Sequence, residues 1–171
     1  IREHRGTAEE RAARAEAIVR INHCKQITGR GKIEAAKEWI ADFLETGQKL
    51  IVFANHIEVQ NNVLAEFPDA VHILGADGAH ERQGAVNRFQ NDPECLMIVC
   101  ATEAASEGVT LTAASNVLFL ELAWPPAAHL QAEARCYGRI NDLHGASAYY
   151  LIAENTIDET LMGILGRKLA V

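Results

Sequence analysis

Residues 49–54 read KLIVFA, an apolar run with the length of one buried strand. Short, mainly apolar runs recur at 70–74, 96–100, 116–120 and 146–152, and helix-like patterns separate them. Strands that are apolar along their whole length are typical of parallel sheets, which are covered on both faces. The sequence therefore predicts an α/β domain with a mainly parallel sheet and helices on both faces.

The segments between these runs carry helix signals. Thr7-Ala-Glu-Glu10 and Thr156-Ile-Asp-Glu159 are capping-box patterns, each of which begins a helix. The predicted helices span residues 7–23, 31–46, 56–67, 80–90 and 124–137, with a last one after Thr156. Ligands of such domains bind beyond the carboxyl ends of the strands.

The stretch Thr28-Gly-Arg-Gly-Lys32 superficially resembles a phosphate-binding loop. Ile33 stands where that loop requires Ser or Thr, and neither the preceding glycine nor a preceding strand is found. We interpret these residues as a turn. The sequence therefore contains no phosphate loop and no acidic magnesium motif of its own.

A chain of 171 residues with 49% hydrophobic and 23% charged residues has the composition of one globular domain. No apolar run approaches the ~20 residues needed to cross a bilayer, so we expect no membrane association. The opening residues 1–11 are typical of a linker or an excised fragment. The four cysteines and seven histidines show no metal-ligand spacing, which predicts free thiols and no metal site.

The net charge of −7 is unevenly distributed. Residues 1–37 hold nine Lys or Arg against five Asp or Glu, and residues 38–171 hold seven against eighteen. The globally basic composition of many nucleic-acid-binding domains is therefore absent. A protein that contacts a few phosphates through amides and hydroxyls does not need it, so the acidity is weak evidence against nucleic acid.

Two polar segments follow predicted strands. Residues 101–111 read ATEAASEGVTL, in which hydroxyls and Gly108 suit phosphate oxygens. An ordinary strand-to-helix turn capped by Thr102 fits these residues equally well. The second segment, residues 131–140, reads QAEARCYGRI.

Gln131, Arg135 and Arg139 are spaced four residues apart and would form one stripe on a helix. Two guanidinium groups on one stripe repel each other, and an anionic ligand would offset that repulsion. Surface ion pairs with Glu133 or nearby acids are the alternative, each contributing under ~1 kcal/mol. We favour phosphate binding.

Five segments, in this order and spacing, carry a resemblance to a known family. They are KLIVFANH, LGADGAHERQGAVNRF, IVCATEAASEGVTLTAASNVLFLELAWPP, QAEARCYGRI and YYLIAENTIDETL. Over residues 30–168 the chain resembles the second RecA-like lobe of Swi/Snf-type DNA translocases of helicase superfamily two, above all the annealing-helicase-like branch and its bacterial or phage relatives. The resemblance implies a three-layer RecA-like lobe at residues 31–171, preceded at 1–30 by a helical linker from a first lobe.

The resemblance also implies a division of labour in which ATP binds between the two lobes. The first lobe supplies the phosphate loop and the acidic motif that holds Mg²⁺, and the second supplies arginines. Arg139 matches the arginine finger, Arg135 its companion and Gln131 the leading glutamine of the same motif. Gly108, with Glu107, matches the loop that links the ATP cleft to the DNA track.

Other matched positions concern DNA. Thr102 matches the hydroxyl that contacts a DNA phosphate. Asn55 and His56 follow the first strand of the lobe, and Gly75 and Arg82 belong to a second segment. Both segments flank the DNA track in the family.

The arginine motif departs from the family in its spacing. Counted from Gln131, the family places its arginines at four and seven residues, whereas this sequence has them at four and eight. We interpret the difference as a one-residue insertion at 136–138. An unbroken helix would turn Arg139 by ~100°, but Gly138 can break the helix and absorb the extra residue.

The resemblance therefore predicts the C-terminal motor lobe of a DNA-dependent ATPase that translocates on or remodels double-stranded DNA. Its expected partners are DNA, ATP with Mg²⁺ and the N-terminal lobe. Its expected location is the cytoplasm for a bacterial or phage-encoded protein and the nucleus for a eukaryotic one. Without a phosphate loop, the 171-residue chain alone should not hydrolyse ATP. The alternatives are the second lobe of an RNA helicase and a non-catalytic nucleic-acid-binding module that has lost its finger.

Overall fold

The computed structural model describes residues 7–102, 111–122 and 147–169. The helices within these residues are α1 (Ala8–Gly31), α2 (Ile33–Leu44), α3 (Ile57–Glu66), α4 (Ala79–Asn91) and α5 (Ile157–Leu169). The strands are β1 (Leu50–Phe53), β2 (Val71–Ile73), β3 (Met97–Cys100), β4 (Asn116–Phe119) and β5 (Ser147–Tyr150). The helix predicted at 124–137 lies outside the described residues.

The five strands are parallel and form one sheet in the order β2-β3-β1-β4-β5. β1 lies at its centre, with Ile51 beside Ile98 of β3 and Val117 of β4. Every residue of β1, β3 and β4 is buried, which explains why the central strand is an uninterrupted apolar run. The predicted parallel sheet is confirmed.

Alternate residues of β1 face opposite layers of the domain. Ile51 and Phe53 belong to a core cluster that includes Phe89 of α4. Leu50 and Val52 belong to a second cluster, formed with residues of α2 and α3. Helices thus cover both faces of the sheet, which confirms the predicted three-layer α/β architecture.

Helix α1 is longer than predicted. It continues past residue 23 to Gly31, and Lys32 alone separates it from α2, so the helix end at 23 and the turn at 28–32 were wrong. The cause is tertiary packing. Thr28 and Gly29 are buried, and a Cβ added at Gly29 would lie 2.8 Å from Oε1 of Glu121. A glycine that weakens an isolated helix here lets α1 lie close against the domain.

Helix α5 begins after Thr156 as predicted, and Thr156 Oγ1 accepts a hydrogen bond from the amide of Asp158 at 3.2 Å. Asp158 also connects α5 to the junction between α1 and α2. Its Oδ2 lies 2.6 Å from Nζ of Lys32, and both side chains are buried. Lys32 Nζ donates a further hydrogen bond to the carbonyl of Leu151 at 2.8 Å.

Three of the four cysteines lie within the described residues, and Cys24 and Cys95 are free thiols. Cys24 is exposed, whereas Cys95 and Cys100 are buried. Burial raises the pKa of the Cys95 thiol, so this residue serves packing rather than thiolate chemistry. No helix in the described part of the chain has the length and apolar character needed to cross a membrane.

Candidate nucleic-acid interface

Four of the predicted DNA-contact residues lie at one edge of the sheet. Gly75, Thr102 and Asn55 each stand two residues beyond the end of β2, β3 and β1 respectively, and His56 follows Asn55. Because these three parallel strands are neighbours, their carboxyl ends lie side by side. The structure therefore brings the four residues together along the edge at which parallel sheets bind ligands.

The predicted nucleotide-binding residues lie outside the described residues. They are Glu107, Gly108, Gln131, Arg135 and Arg139. The chain enters their two segments from Thr102, beyond β3, and from Leu122, beyond β4. These two described residues lie at the carboxyl edge of the sheet, and the roles of the five predicted residues stay predictions.

A buried carboxylate holds residues 54–56, which we call the β1 loop. Glu121, just beyond β4, is 3% exposed. Its Oε2 accepts hydrogen bonds from the backbone amides of Asn55 (2.7 Å) and His56 (2.9 Å), and its Oε1 contacts Nδ1 of the His56 ring. These two amides are therefore occupied. The groups of these two residues left for a phosphate are the Asn55 side chain and the outer edge of the His56 ring.

The same carboxylate sets the chemistry of His56. The Glu121 carboxylate accepts a hydrogen bond from Nδ1, so that nitrogen carries the ring proton. In a neutral His56 ring Nε2 then has no proton and can only accept a hydrogen bond. A phosphate oxygen needs a donor. A hydrogen bond from Nε2 to a phosphate therefore requires the doubly protonated ring.

Gln60 holds the β1 loop from its other side. Its Nε2 donates hydrogen bonds to the carbonyls of Ala54 (2.8 Å) and Asn55 (3.3 Å), and the residue is 3% exposed. Buried side chains thus satisfy two of the amides and two of the carbonyls of this loop. Neither Glu121 nor Gln60 was predicted from the sequence to hold it. The available signals were a single acid, Glu121, in the apolar run at 117–123 and a glutamine on the apolar face of α3.

Arg82 shapes the loop that follows β2. Its Nε donates a hydrogen bond to the carbonyl of Asp77 at 3.0 Å, and its Nη2 donates to the carbonyls of Leu74 (3.3 Å) and Gly75 (3.4 Å). The guanidinium group is thus engaged in positioning this loop. Direct contact between Arg82 and DNA stays a prediction.

Gly75 is exposed, and no described atom lies within 4 Å of a Cβ added there. Its backbone also lies outside the left-handed region that favours glycine. The described part of the fold therefore does not require glycine at this position. The predicted role of Gly75 therefore rests on the close approach of a ligand to its backbone.

Thr102 combines burial with an unpaired hydroxyl. The residue is 2% exposed, and its Oγ1 has no hydrogen-bond partner among the described residues. A buried hydroxyl that has no partner anywhere in the folded chain costs about 1–3 kcal/mol of folding free energy. Buried polar atoms without a partner are rare in native proteins and call for a specific explanation. Thr102 Oγ1 is closed off from solvent as placed, so a DNA phosphate could contact it only after neighbouring residues move, and direct contact between Thr102 and DNA stays a prediction.

Helix α1 brings a buried lysine to the same edge of the sheet. Burial lowers the pKa of Lys25 below 10.5, and the negative charges of Glu121 and Asp158 offset this shift only in part. Lys25 thus interacts electrostatically with both carboxylates. Within the described residues, no group of three or more His, Cys, Asp or Glu side chains is arranged to hold a metal ion.

The substitution Lys25→Met is expected to change how stability depends on pH. The pKa of Lys25 is lower in the folded state than in the unfolded chain. Between the lowered pKa and 10.5, the unfolded chain therefore binds more protons than the folded one. The wild-type free energy of unfolding should therefore rise over this window, and the variant should lack that rise. Urea denaturation at a series of pH values measures both slopes.

Lys37→Met is the control for this experiment. A hydrogen bond to Glu34 raises the pKa of Lys37, so its contribution to stability is lost as pH rises above 10.5. The two lysines should therefore show opposite slopes. Equal slopes for the wild type and Lys25→Met would contradict the assignment.

Comparison with known proteins identifies similar sequences. A family model described as "Helicase conserved C-terminal domain" matches residues 31–141. The DNA annealing helicase and endonuclease ZRANB3 of Homo sapiens is 36% identical over 149 residues, which cover 84% of this chain and 14% of that protein. The SWI/SNF-related matrix-associated actin-dependent regulator of chromatin subfamily A-like protein 1 of Xenopus laevis is 34% identical over 149 residues, with coverages of 84% and 15%. The chain thus spans about a seventh of the length of these curated relatives.

Two solved structures are similar in fold. The C-terminal part of the Fun30 ATPase domain superposes with a TM-score of 0.69 at 22% identity, covering 79% of this chain and 45% of that chain. The Sulfolobus solfataricus SWI2/SNF2 ATPase C-terminal domain gives a TM-score of 0.61 at 22% identity, with coverages of 82% and 57%. At this level of identity the likeness establishes the fold.

Proposed function

We propose that this chain, which belongs to the family of helicase conserved C-terminal domains, is the C-terminal motor lobe of a DNA-dependent ATPase that translocates on or remodels double-stranded DNA. The resemblance to Swi/Snf-type proteins and the RecA-like lobe, both predicted from the sequence, are confirmed by the relatives and the solved structures. The activity of the whole protein is our proposal, because the chain spans about a seventh of those relatives.

The observation that carries the proposal is the row formed by Gly75, Thr102, Asn55 and His56 across three neighbouring strands. Strands lie about 4.8 Å apart, so the row is about 10 Å long, which equals the rise of about three nucleotides along one DNA strand. Hydroxyl and amide groups, and an imidazole in its doubly protonated form, can donate hydrogen bonds to phosphate oxygens. Binding should therefore be independent of sequence and sensitive to salt.

The nucleotide would lie in a cleft between this lobe and an N-terminal lobe. Two similar structures carry the name ATPase, which supports ATP as the substrate. We propose Arg139 as the finger that stabilises charge on the γ-phosphate, with Arg135 and Gln131 beside it. Gly108 and Glu107 would link this cleft to the row of proposed DNA-contact residues described above, which we call the DNA row. Mg²⁺ would neutralise phosphate charge, with its ligands supplied by the N-terminal lobe.

We place the start of the lobe at residue 31 and assign residues 1–30 to a helical linker from the first lobe. The family match begins at Gly31, where α1 ends. Residues 13–24 of α1 are exposed, among them Ile18 at 58% and Val19 at 67%. Aliphatic side chains on the exposed part of a linker support its contact with the N-terminal lobe of the same protein.

The substitution Thr102→Val is expected to separate folding from DNA binding. Valine has the shape of threonine without the unpaired hydroxyl, so stability should rise by about 1 kcal/mol. Affinity for DNA should fall by about threefold to tenfold, because one hydrogen bond to a phosphate is lost. Urea denaturation and fluorescence anisotropy with double-stranded DNA measure the two effects.

Thr46→Val is the matched control for Thr102→Val. Thr46 is exposed, and its Oγ1 accepts a hydrogen bond from the amide of Gln48 before β1, at the opposite edge of the sheet. This variant should leave DNA affinity unchanged. A loss of stability in Thr102→Val would show that the hydroxyl has a partner within the fold, as the turn-capping interpretation requires.

The experiment that tests the proposed function is ATP hydrolysis by the full-length protein, measured with double-stranded DNA, single-stranded DNA and RNA. Strong stimulation by double-stranded DNA is the expected result. Stimulation by RNA alone would support the RNA-helicase alternative, and nucleic-acid binding without hydrolysis would support the non-catalytic module.

In a eukaryotic cell the proposed activity belongs to the nucleus. The relatives named above are animal proteins, so a bacterial or phage origin stays a prediction.

A further inference from the structure

We propose that Glu121 is a positioning residue through which helix α1 controls the β1 loop. This inference rests on the proposed function, because the β1 loop matters only if Asn55 and His56 contact DNA. It goes beyond that function by assigning a regulatory connection between the segment that precedes the family domain and the DNA row. Three observations carry it.

The first observation is that the two carboxylate oxygens of Glu121 contact different groups of the β1 loop. Oε2 accepts the hydrogen bonds from the amides of Asn55 and His56, at 2.7 and 2.9 Å. Oε1 contacts the His56 ring. Three donors from two consecutive residues thus converge on one buried side chain. A displacement of this carboxylate must move the β1 loop or break its hydrogen bonds.

The second observation is that α1 packs directly against this carboxylate. A Cβ added at Gly29 would lie 2.8 Å from Oε1 and 3.3 Å from Cδ of Glu121. It would also lie 3.2 Å from Cγ2 of Val59, on α3. The absence of a side chain at Gly29 therefore leaves room for the carboxylate in its present position. Lys25, one turn earlier on α1, adds its positive charge near the same group.

The third observation is the way α1 is held. Its C-terminal end is fixed through the buried pair of Lys32 and Asp158, whereas residues 13–24 are exposed. A force applied to the exposed part of α1 would therefore rotate the helix about its fixed end. The segment around Lys25 and Gly29 lies between these two regions, and it meets Glu121. Glu121 thus receives a displacement of α1 and transmits it to the β1 loop.

The test uses the full-length protein and a matched pair of glycine variants in the last turn of α1. Gly29→Ala introduces a Cβ that conflicts with Glu121, whereas no described atom lies within 4 Å of a Cβ at Gly31. Both substitutions replace a glycine in the last turn of α1 with a better helix former. We expect Gly29→Ala to weaken binding of double-stranded DNA by about fivefold or more and Gly31→Ala to leave it unchanged. Equal affinities for the two variants would overturn the proposal.

A second readout follows the His56 ring without DNA. The nitrogen chemical shifts of its imidazole, measured by NMR in the same two variants, should change in Gly29→Ala and stay constant in Gly31→Ala. If the wild-type protein binds no DNA, the proposed function fails, and these shifts still decide whether α1 and the β1 loop are coupled. Unchanged shifts in Gly29→Ala would then refute the coupling by themselves.

Glu121→Gln is the second variant, for use if Gly29→Ala does not fold. A glutamine has one acceptor oxygen, which can keep the two amides, and its NH₂ group then faces Nδ1 of His56. Nδ1 must accept that hydrogen bond, so the ring proton moves to Nε2. The nitrogen shifts of His56 should report this tautomer change, together with altered DNA affinity. An unchanged tautomer and unchanged affinity would overturn the proposal.

Discussion

Replacing Arg139 with alanine in the full-length protein is expected to lower kcat for DNA-stimulated ATP hydrolysis by about a thousandfold or more. An arginine finger stabilises negative charge that develops on the transferred phosphoryl group, so its loss acts on the transition state. The KM for ATP should change far less than kcat. Steady-state hydrolysis at saturating double-stranded DNA measures both constants.

Arg88→Ala is the control for this prediction. Arg88 is a half-exposed residue of α4 whose Nε lies 3.5 Å from Asp92 Oδ2, an exposed pair that contributes under ~1 kcal/mol. Removing it should leave kcat unchanged. Activity that survives Arg139→Ala but is lost in Arg135→Ala would place the finger at Arg135. Activity that survives both would contradict the role proposed for this motif.

The one-residue insertion makes this experiment informative about geometry as well as chemistry. If the helix that carries Gln131 continued unbroken through residues 136–138, Arg139 would point ~100° away from the direction usual in the family. A large effect of Arg139→Ala therefore requires the helix to end before it. Gly138 is the residue at which a helix can end without steric cost.

The sequence predicted the sheet well because burial on both faces leaves a local signal. Each central strand is a run of apolar residues, and no knowledge of its neighbours is needed to recognise it. The side-by-side placement of three proposed DNA-contact residues has a related explanation, while their contact with DNA stays a prediction. Gly75, Thr102 and Asn55 follow strand ends directly, and the carboxyl ends of neighbouring parallel strands meet at one edge.

The residues that hold the row could not be predicted in the same way. Glu121 and the β1 loop are 65 and 66 positions apart in the chain, and only the pairing of β1 with β4 brings them together. The end of α1 was missed for a similar reason. Gly29 is a helix-weakening residue locally, and its value lies in the space it leaves for Glu121. Interactions that depend on a distant partner leave no periodic pattern.

The substitution Lys32→Met is expected to destabilise the chain by about 3–5 kcal/mol. It leaves Asp158 buried, with 4% of its side chain exposed, and without the ammonium group that lies 2.6 Å from Oδ2. Among the described residues, the amide of Ala153 still donates a hydrogen bond to Oδ2 at 3.2 Å, and the positive charge of Lys25 still acts on Asp158. Urea denaturation gives the free energy of unfolding of the wild type and the variant.

The double variant Lys32→Met with Asp158→Leu is the decisive comparison. Two apolar side chains of similar volume avoid the desolvation of both charges, so much of the stability lost in Lys32→Met should return. A double variant no more stable than Lys32→Met would mean that the polar partners Leu151 and Ala153, rather than the ion pair, set the stability at this site. If stability returns while α1 keeps its position, apolar packing at this site fixes the helix as well as the ion pair does. Coupling of α1 to the β1 loop should then persist in the double variant, because Gly29 and Glu121 are untouched.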